Sequence, residues 1–446
     1  MPSPLRRSDI LAAMQCDRRL WLEHASDSSS RGHPDARTVR RNETARIEAL
    51  AQQRYPGGLD LDDASDERTA RALADPEHKV LYGVWVNAAG YRLRLDILLR
   101  HQETWTLVDV RSGARIKRGH LADIGVRIAV ARAAGLPITR MLVCHLRRVN
   151  TPGPATPERN LKSVDVTARV PDVPLPHPDS LRTVIDAHDE PDVTPGSQCS
   201  DPWRCPFLSH CGVGAVSWAQ PPAGARDAVE SGVDYLSEEL LQAVPTGPVY
   251  SLDFEARQSP LPVSDAVRPF EPIPFLWVAR HSDEPGSRVF SSTETDPRRA
   301  FARSLIDSLD GDHPILVWSD YESSTLGRLA ALMADLAPEL DRLRERLVDL
   351  HILVRRGFWS DRLDGQYSVK AVAGAMDASF GYGDLSIDNG RDAALIGLGL
   401  QHDLLPRSVE DDLIAYCERD VRALEVVWRY LDARRPTEPL SPEQPG

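Results

Sequence analysis

The sequence predicts an α/β protein built as two consecutive α/β units. Three observations carry this. The front half reads as helix, strand, strand, helix, strand, the order of an α/β core. The back half opens on an apolar strand, PVYSLDFEAR (248–257), that ends in acids, and PILVWSDYE (314–322) repeats the device. The chain has 446 residues, long enough for two or three separate cores.

Residues 5–24 are amphipathic and predict one helix carrying Cys16. Residues 25–40 are polar and read as a loop, and 41–54 as helix again. YRLRLDILLR (91–100) alternates apolar and polar residues, and TWTLVDVRSG (104–113) follows after the short HQE connection. That is a hairpin pattern. A helix over 119–134 stops at Gly135 and Pro137, and ITRMLVCHLRRV (138–149) is the next strand. Residues 170–196 are rich in Pro and Asp and read as irregular. The segment CSDPWRCPFLSHC (199–211) follows, then a linker through PPAGARDAVESG (221–232). Behind the second acid-tipped strand, 323–356 read as helices and 409–432 as one long closing helix. The Pro-rich tail 434–446 reads as disordered. The domain bounds are therefore 1–215, a linker and helix over 216–247, 248–432, and a tail 433–446. There is no internal sequence repeat.

Composition narrows the class. No apolar run is long enough to span a membrane, and MPSPLRRSDI lacks the apolar region of a signal peptide. Six cysteines in a chain of this size do not read as a disulfide framework. These features predict a cytoplasmic protein with no membrane partner. The net charge of −13 argues against a uniformly basic nucleic-acid binder. It hides an asymmetry: residues 1–150 carry 25 Lys and Arg against 18 Asp and Glu, a net +7, so the remainder carries −20. A basic front suits a polyanion. An acidic back suits a surface that meets phosphates through metal ions.

The cysteines are the strongest single signal. Cys199, Cys205 and Cys211 are evenly spaced, and Cys16 lies far away in DILAAMQCDRRLWLEH. One remote thiolate and three clustered ones make a clasp between the start and the end of a domain. An iron–sulfur cluster or a zinc ion can be held this way. Cys144 falls on an expected core strand and Cys417 on a helix, and both read as buried residues rather than ligands.

Two further constellations carry chemistry. Asp109 and Arg111 stand two apart on a strand and so share a face, and the hairpin sets Asp96 beside them. Two carboxylates can hold Mg²⁺, which activates water for attack on phosphorus, and a nearby cation stabilises the developing charge. In the back half Asp253 and Glu255 stand two apart at the end of a strand, Glu322 lies at the end of another, and Tyr416 and Asp420 share one face of the closing helix. Four acids from three elements suit a pair of Mg²⁺ or Mn²⁺ ions, with Tyr416 orienting the attacking water.

The front constellation and the clasp together resemble the RecB-like PD-(D/E)XK nucleases in their four-cysteine form, over about the first half of the chain. The resemblance implies a restriction-endonuclease-like core and a 4Fe-4S cluster on Cys16, Cys199, Cys205 and Cys211. It departs from the pattern at Arg111, where the family has Lys, and at Arg127, where it has Gln. His120 and Asp123 lie nearby without an assigned role. The back constellation resembles the DEDDy 3′–5′ exonucleases of the RNase H-like fold, with Glu322 where Asp is usual and Ser319 near the usual Asn. RPFEPIPFLWV (268–278), DPRRAF (296–301), RLVDL (346–350), YSVKAV (367–372) and YGDLSI (382–387) resemble a bacterial domain of unknown function that follows RecB-like cores, over roughly 248–430. Lys370 in that stretch is placed to approach the acids or a phosphate, or to sit on the surface.

These resemblances imply a metal-dependent nuclease acting on single-stranded DNA ends, with RNA as an alternative substrate. A non-catalytic DNA-binding or assembly factor is the competing expectation. A helicase partner is suggested by family analogy alone.

Overall fold

The structure is a computed structural model that describes residues 3–25, 33–208, 210–212, 221–363 and 365–436. The expected tail falls largely outside these residues. The chain divides into two compact units. The first comprises residues 1–32, 40–213 and 259–271, and the second 33–39, 214–258 and 272–446. The segment 259–271 thus counts with the first unit although it follows the first acidic strand of the second.

The first unit runs β1 (Leu5–Arg6), α1 (Arg7–Gln15), α2 (Asp17–Ala25), α3 (Pro34–Arg54), β2 (Leu59–Asp60), α4 (Asp66–Ala74), β3 (Val80–Ala88), β4 (Tyr91–His101), β5 (Thr104–Arg111), α5 (Arg118–Ala133), β6 (Ile138–Leu146), α6 (Pro157–Asn160), β7 (Leu161–Asp165) and α7 (Pro178–Ile185). Its sheet has the order β2-β3-β4-β5-β6-β7, with β1 paired to β4. β3, β4 and β5 are antiparallel neighbours, and β5 and β6 are parallel, joined over α5. Both faces are covered. Leu95, Leu107 and Val143 pack with Ile10 of α1 and Ile124 and Ile128 of α5. Ile97, Val108 and Cys144 pack with Ile47, Leu50 and Ala51 of α3 on the other side.

Several expectations change here. The helix expected over 5–24 is two helices, because Cys16 is extended (φ −172°, ψ 132°) and breaks the run. The loop expected over 25–40 is helical from Pro34. The region 170–196 contains α7. The strand β3 was not anticipated: its period is interrupted at Gly83 (φ +61°), a left-handed conformation that favours glycine. The pleat turns over there, so Tyr82 and Val84 serve opposite cores.

The second unit runs α8 (Arg226–Ser231), β8 (Tyr235–Leu236), α9 (Glu238–Ala243), β9 (Tyr250–Arg257), β10 (Ile273–His281), β11 (Arg288–Ser291), α10 (Arg298–Ser308), β12 (Ile315–Val317), α11 (Tyr321–Leu332), α12 (Ala337–Glu345), β13 (Leu347–Asp349), α13 (Leu350–Gly357), β14 (Phe358–Trp359), α14 (Val369–Met376), α15 (Gly390–Gln401) and α16 (Val409–Asp432). The main sheet has the order β11-β10-β9-β12-β13. β9 is antiparallel to β10 and parallel to β12, which is parallel to β13. One face, through Tyr250, Leu252 and Phe254, packs on Phe301, Leu305, Leu326 and Leu340 of α10 to α12. On the other face Val278 and Leu276, which pair with Asp253 and Glu255, pack on Ile396 of α15 and Leu413, Tyr416 and Cys417 of α16. The alternation of β9 thus sends its apolar residues one way and its acids the other, toward α16.

Two expectations are corrected here. β12 ends at Val317, so Glu322 sits in the first turn of α11 rather than at the end of a strand. The span 323–356 is not helical throughout, since β13 interrupts it. Among the described residues no helix is long and apolar enough to cross a membrane.

Candidate metal centre and cysteine clasp

In the second unit, β9 and α16 bring Asp253, Glu255 and Asp420 together. Each offers a carboxylate oxygen, and the three oxygens lie within 4.8 Å of one another, the only such group of acidic, His or Cys ligands among the described residues. The spacing of Tyr416 and Asp420, one helical turn apart, holds both on the face that meets β9. Tyr416 is buried, and burial, then the nearby Asp420 carboxylate, pushes its hydroxyl up. Glu322 is buried (4 % exposed) beside this group but outside it, and its Oε2 has no hydrogen-bond partner.

The electrostatics are those of crowded like charges. Burial, then the Asp420 carboxylate, pushes Asp253 up to about 8. Burial, then Asp253 and Asp420, holds Glu255 well above the carboxylate range. Burial, then Asp253, does the same to Glu322, with Asp349 and Asp320 adding to it. Such a cluster, left to itself, retains protons. A divalent cation removes the reason to hold them, so the residues present fit a hard ion with oxygen ligands.

The structure adds Tyr382 and Cys417, which sequence reasoning had not placed at the site, and locates Lys370, which it had left open. The Tyr382 hydroxyl donates to Asp420 Oδ1 at 2.6 Å. The Cys417 thiol donates to Asp253 Oδ2 at 3.0 Å, so this cysteine is buried, as expected, but against the acids. Lys370 Nζ lies 4.4 Å from the Tyr382 ring and 4.6 Å from the Tyr416 ring, and donates to the Asp388 carbonyl. Of the two places open to it in the sequence, Lys370 takes the one near the acids. Tyr382 lay in the YGDLSI stretch, but no periodicity marks which of its residues turns inward.

The front constellation is also assembled, with different chemistry. The register Ile97↔Val108 carries on to set Asp96 beside Asp109. Asp96 Oδ1 accepts from Arg127 at 3.0 Å and Arg94 at 3.1 Å, and Oδ2 accepts from the Val110 amide at 2.9 Å. Asp109, fully buried, accepts from Arg111 on both oxygens. Asp123 Oδ2 accepts from Arg111 and from Arg7. Burial raises Asp96, but Arg127, the Val110 N–H and Arg94 together outweigh it and hold it low. For Asp109 burial wins over Arg127 and Arg111, and its carboxyl stands at about 6. Asp123 was legible as a neighbour in the sequence. Its pairing to Arg7, more than a hundred residues away, was not.

The four cysteines line one small pocket. Cys16 sits at the break between α1 and α2. The Cys205 amide donates to the Cys199 carbonyl at 2.8 Å and the Cys211 amide to the Phe207 carbonyl at 3.1 Å. Gln15, next to Cys16, donates to the carbonyls of Gln198 (2.6 Å) and Trp203 (2.7 Å), while Arg19 lies over the Trp203 ring. All six cysteines are free thiols. No three of the four sulfurs lie mutually within 4.8 Å, so the tight thiolate set of a single bound ion is not formed. One zinc ion with Zn–S bonds of about 2.3 Å would draw its sulfurs closer than that.

Residues 250–368 match a family described as a domain of unknown function (DUF2779). The match runs from β9 to the residue before α14, and includes Asp253, Glu255 and Glu322 but not Asp420. No curated protein matches the chain.

Proposed function

We propose that the chain is a metal-dependent nuclease whose second unit shortens single strands of DNA from the 3′ end. The observation that carries this reading is the convergence of Asp253, Glu255 and Asp420. The sheet supports it. Numbering the five strands of the main sheet of the second unit in chain order, the sheet runs third, second, first, fourth, fifth, with only the second strand running against the other four. That order agrees with the RNase H-like resemblance, and the central strand, β9, carries Asp253 and Glu255.

Asp253, Glu255 and Asp420 would hold Mg²⁺ or Mn²⁺, with Glu322, whose Oε2 lacks a partner, the fourth acid toward it. When bound, such ions activate a water and stabilise the leaving oxygen of a phosphodiester. The chain's own residues do the rest. Tyr382 fixes the Asp420 carboxylate, and Tyr416 stands one turn from it on the same helix. Cys417 fixes the Asp253 carboxylate. Lys370 places one positive charge between two rings, where an incoming phosphate would meet it.

In the first unit the free thiols Cys16, Cys199, Cys205 and Cys211 border one pocket, and with the four-cysteine resemblance this supports a 4Fe-4S cluster over zinc. The cluster would tie the α1–α2 break to the 199–211 segment. The helix–strand–strand–strand–helix–strand order of α3, β3, β4, β5, α5 and β6 agrees with the PD-(D/E)XK resemblance.

The test is a time course on a 5′-labelled DNA strand with Mn²⁺, wild type beside Asp253→Ala. A ladder of shortening products in the wild type, at least a hundredfold slower in the variant, is expected. Equal cleavage by both proteins, or none by either, sinks the reading. The same strand as RNA decides the sugar, since carboxylates do not read it.

A further inference from the structure

The PD-(D/E)XK resemblance implies Mg²⁺ on Asp96 and Asp109, and the residues present do not fit it. Every oxygen of Asp96 and Asp109 already accepts a hydrogen bond, all but one of these from a guanidinium. Of Asp123, only Oδ1 lacks a partner. A divalent ion here would displace buried arginines and stand against their charge. Arg127 is the most enclosed of them, 7 % exposed, and makes ion pairs with Asp96 at 3.0 Å, Asp109 at 3.5 Å and Asp123 at 3.9 Å.

The cleft above these pairs has the opposite character. Its walls carry Arg6, Arg7, Arg92, Arg94, Arg111 and Arg127 against two acids, Glu48 and Asp96. The start of α1, Arg6 to Ser8, lies on the same wall, with the Arg6 amide donating to Asp9 Oδ2 at 2.7 Å. Arg127 Nε makes no hydrogen bond but faces the acids, 3.5 Å from Asp109 Oδ1 and 3.9 Å from Asp123 Oδ1. Trp85 stands on the wall with the Arg92 guanidinium 5.1 Å over its ring. Arg7 and Arg92 keep about two fifths of their side chains exposed, 38 % and 43 %.

We propose that this cleft is a metal-independent binding site for the phosphate backbone of a single nucleic-acid strand. Guanidinium groups would take the phosphates. Trp85 would stack a base, which a duplex does not offer, and this favours a single strand. The site rests on the nucleic-acid reading above but not on catalysis. The nuclease motif positions have been turned into a buried ion network that holds the cleft arginines in place.

The experiment measures binding of a labelled oligothymidylate to the full chain in EDTA, across a salt series. Chelation removes the ions that the acidic centre of the second unit needs, so loss of cleavage and loss of this binding are read separately. Wild type is expected to bind without metal. Arg7→Gln with Arg92→Gln should weaken binding roughly tenfold and flatten the log–log salt slope by about 1.4, two phosphate contacts on a single strand. No binding in EDTA, or an unchanged slope in the double variant, overturns the proposal. A second measurement avoids any folding defect of the variant: a bromodeoxyuridine strand is photocrosslinked to the native chain. A crosslink in the peptide carrying Trp85 supports the site, and crosslinks found only elsewhere overturn it.

Discussion

At the scale of single residues, the two units solve the same problem in opposite ways. Each buries several carboxylates. In the first, arginines neutralise them. In the second, apart from Lys370, they face one another and their charge is left for a cation. Two predictions follow from this contrast. Asp253 stands at about 8 when folded, against about 4 for an ordinary carboxyl. Between those values the folded chain holds a proton that the unfolded chain has released, so stability falls as pH rises through the window. Metal-free protein should therefore melt lower at the top of the window than at its bottom. Mn²⁺ should raise the melting temperature most at the top, and Asp253→Asn should flatten the pH slope. Parallel slopes for wild type and variant would refute this. The second prediction concerns Arg127. Arg127→Met leaves Asp96 and Asp109 buried beside too little positive charge, and should cost about 3–5 kcal/mol in urea unfolding of the first unit. Adding Asp96→Asn to it should recover part of that loss.

At the scale of elements, site residues are delivered by helices whose positions depend on close contacts. α5 carries Asp123 and Arg127, and its Gly125 lies against the strand-like segment before α7. A Cβ there would come within 2.8 Å of the Pro171 carbonyl and 2.7 Å of Val173. Gly125→Ala should cost about 1–3 kcal/mol, because backbone cannot yield as a side-chain tip can. Gly374 in α14 is the control: its Cβ would meet only the Phe380 carbonyl at 3.8 Å, so Gly374→Ala should stabilise by about 0.5–1 kcal/mol. Chemical denaturation of both variants checks the pair. The long elements were legible for different reasons: β4 and α16 have strong periods, β5 follows β4 after a short connection, β9 is a short apolar run, and α5, buried on most sides, is bounded by Gly135 and Pro137. β3 was hidden by Gly83, and the start of α3 by its polar composition, which solvent and tertiary contacts tolerate equally.

At the scale of the whole molecule, the four cysteines line one pocket from segments almost two hundred residues apart within the first unit, while the acids of the second come from β9, α11 and α16. The two centres share no residue. On the proposed reading, Cys16→Ser lowers the iron content and the melting temperature of the first unit but leaves 3′-end cleavage by the second within about twofold of wild type. Iron assay, visible absorbance and the cleavage time course on one preparation read all three. A variant that keeps its iron, or loses cleavage with it, would contradict this assignment.

The sequence by itself determined which residues are candidates. Asp253 and Glu255 two apart on a strand, and Tyr416 and Asp420 four apart on a helix, share faces because strand and helix periods are local properties of the backbone. Cysteine spacing carries its meaning in the same way. Tertiary structure alone decided their charge environment. That Asp96 and Asp109 meet Arg94, Arg111 and Arg127 rather than open solvent, and that Asp253 meets Asp420, Cys417 and no arginine, depends on side chains brought together from distant elements. Coulomb energy and desolvation are set by distance and burial, and neither is written in the order of residues along the chain.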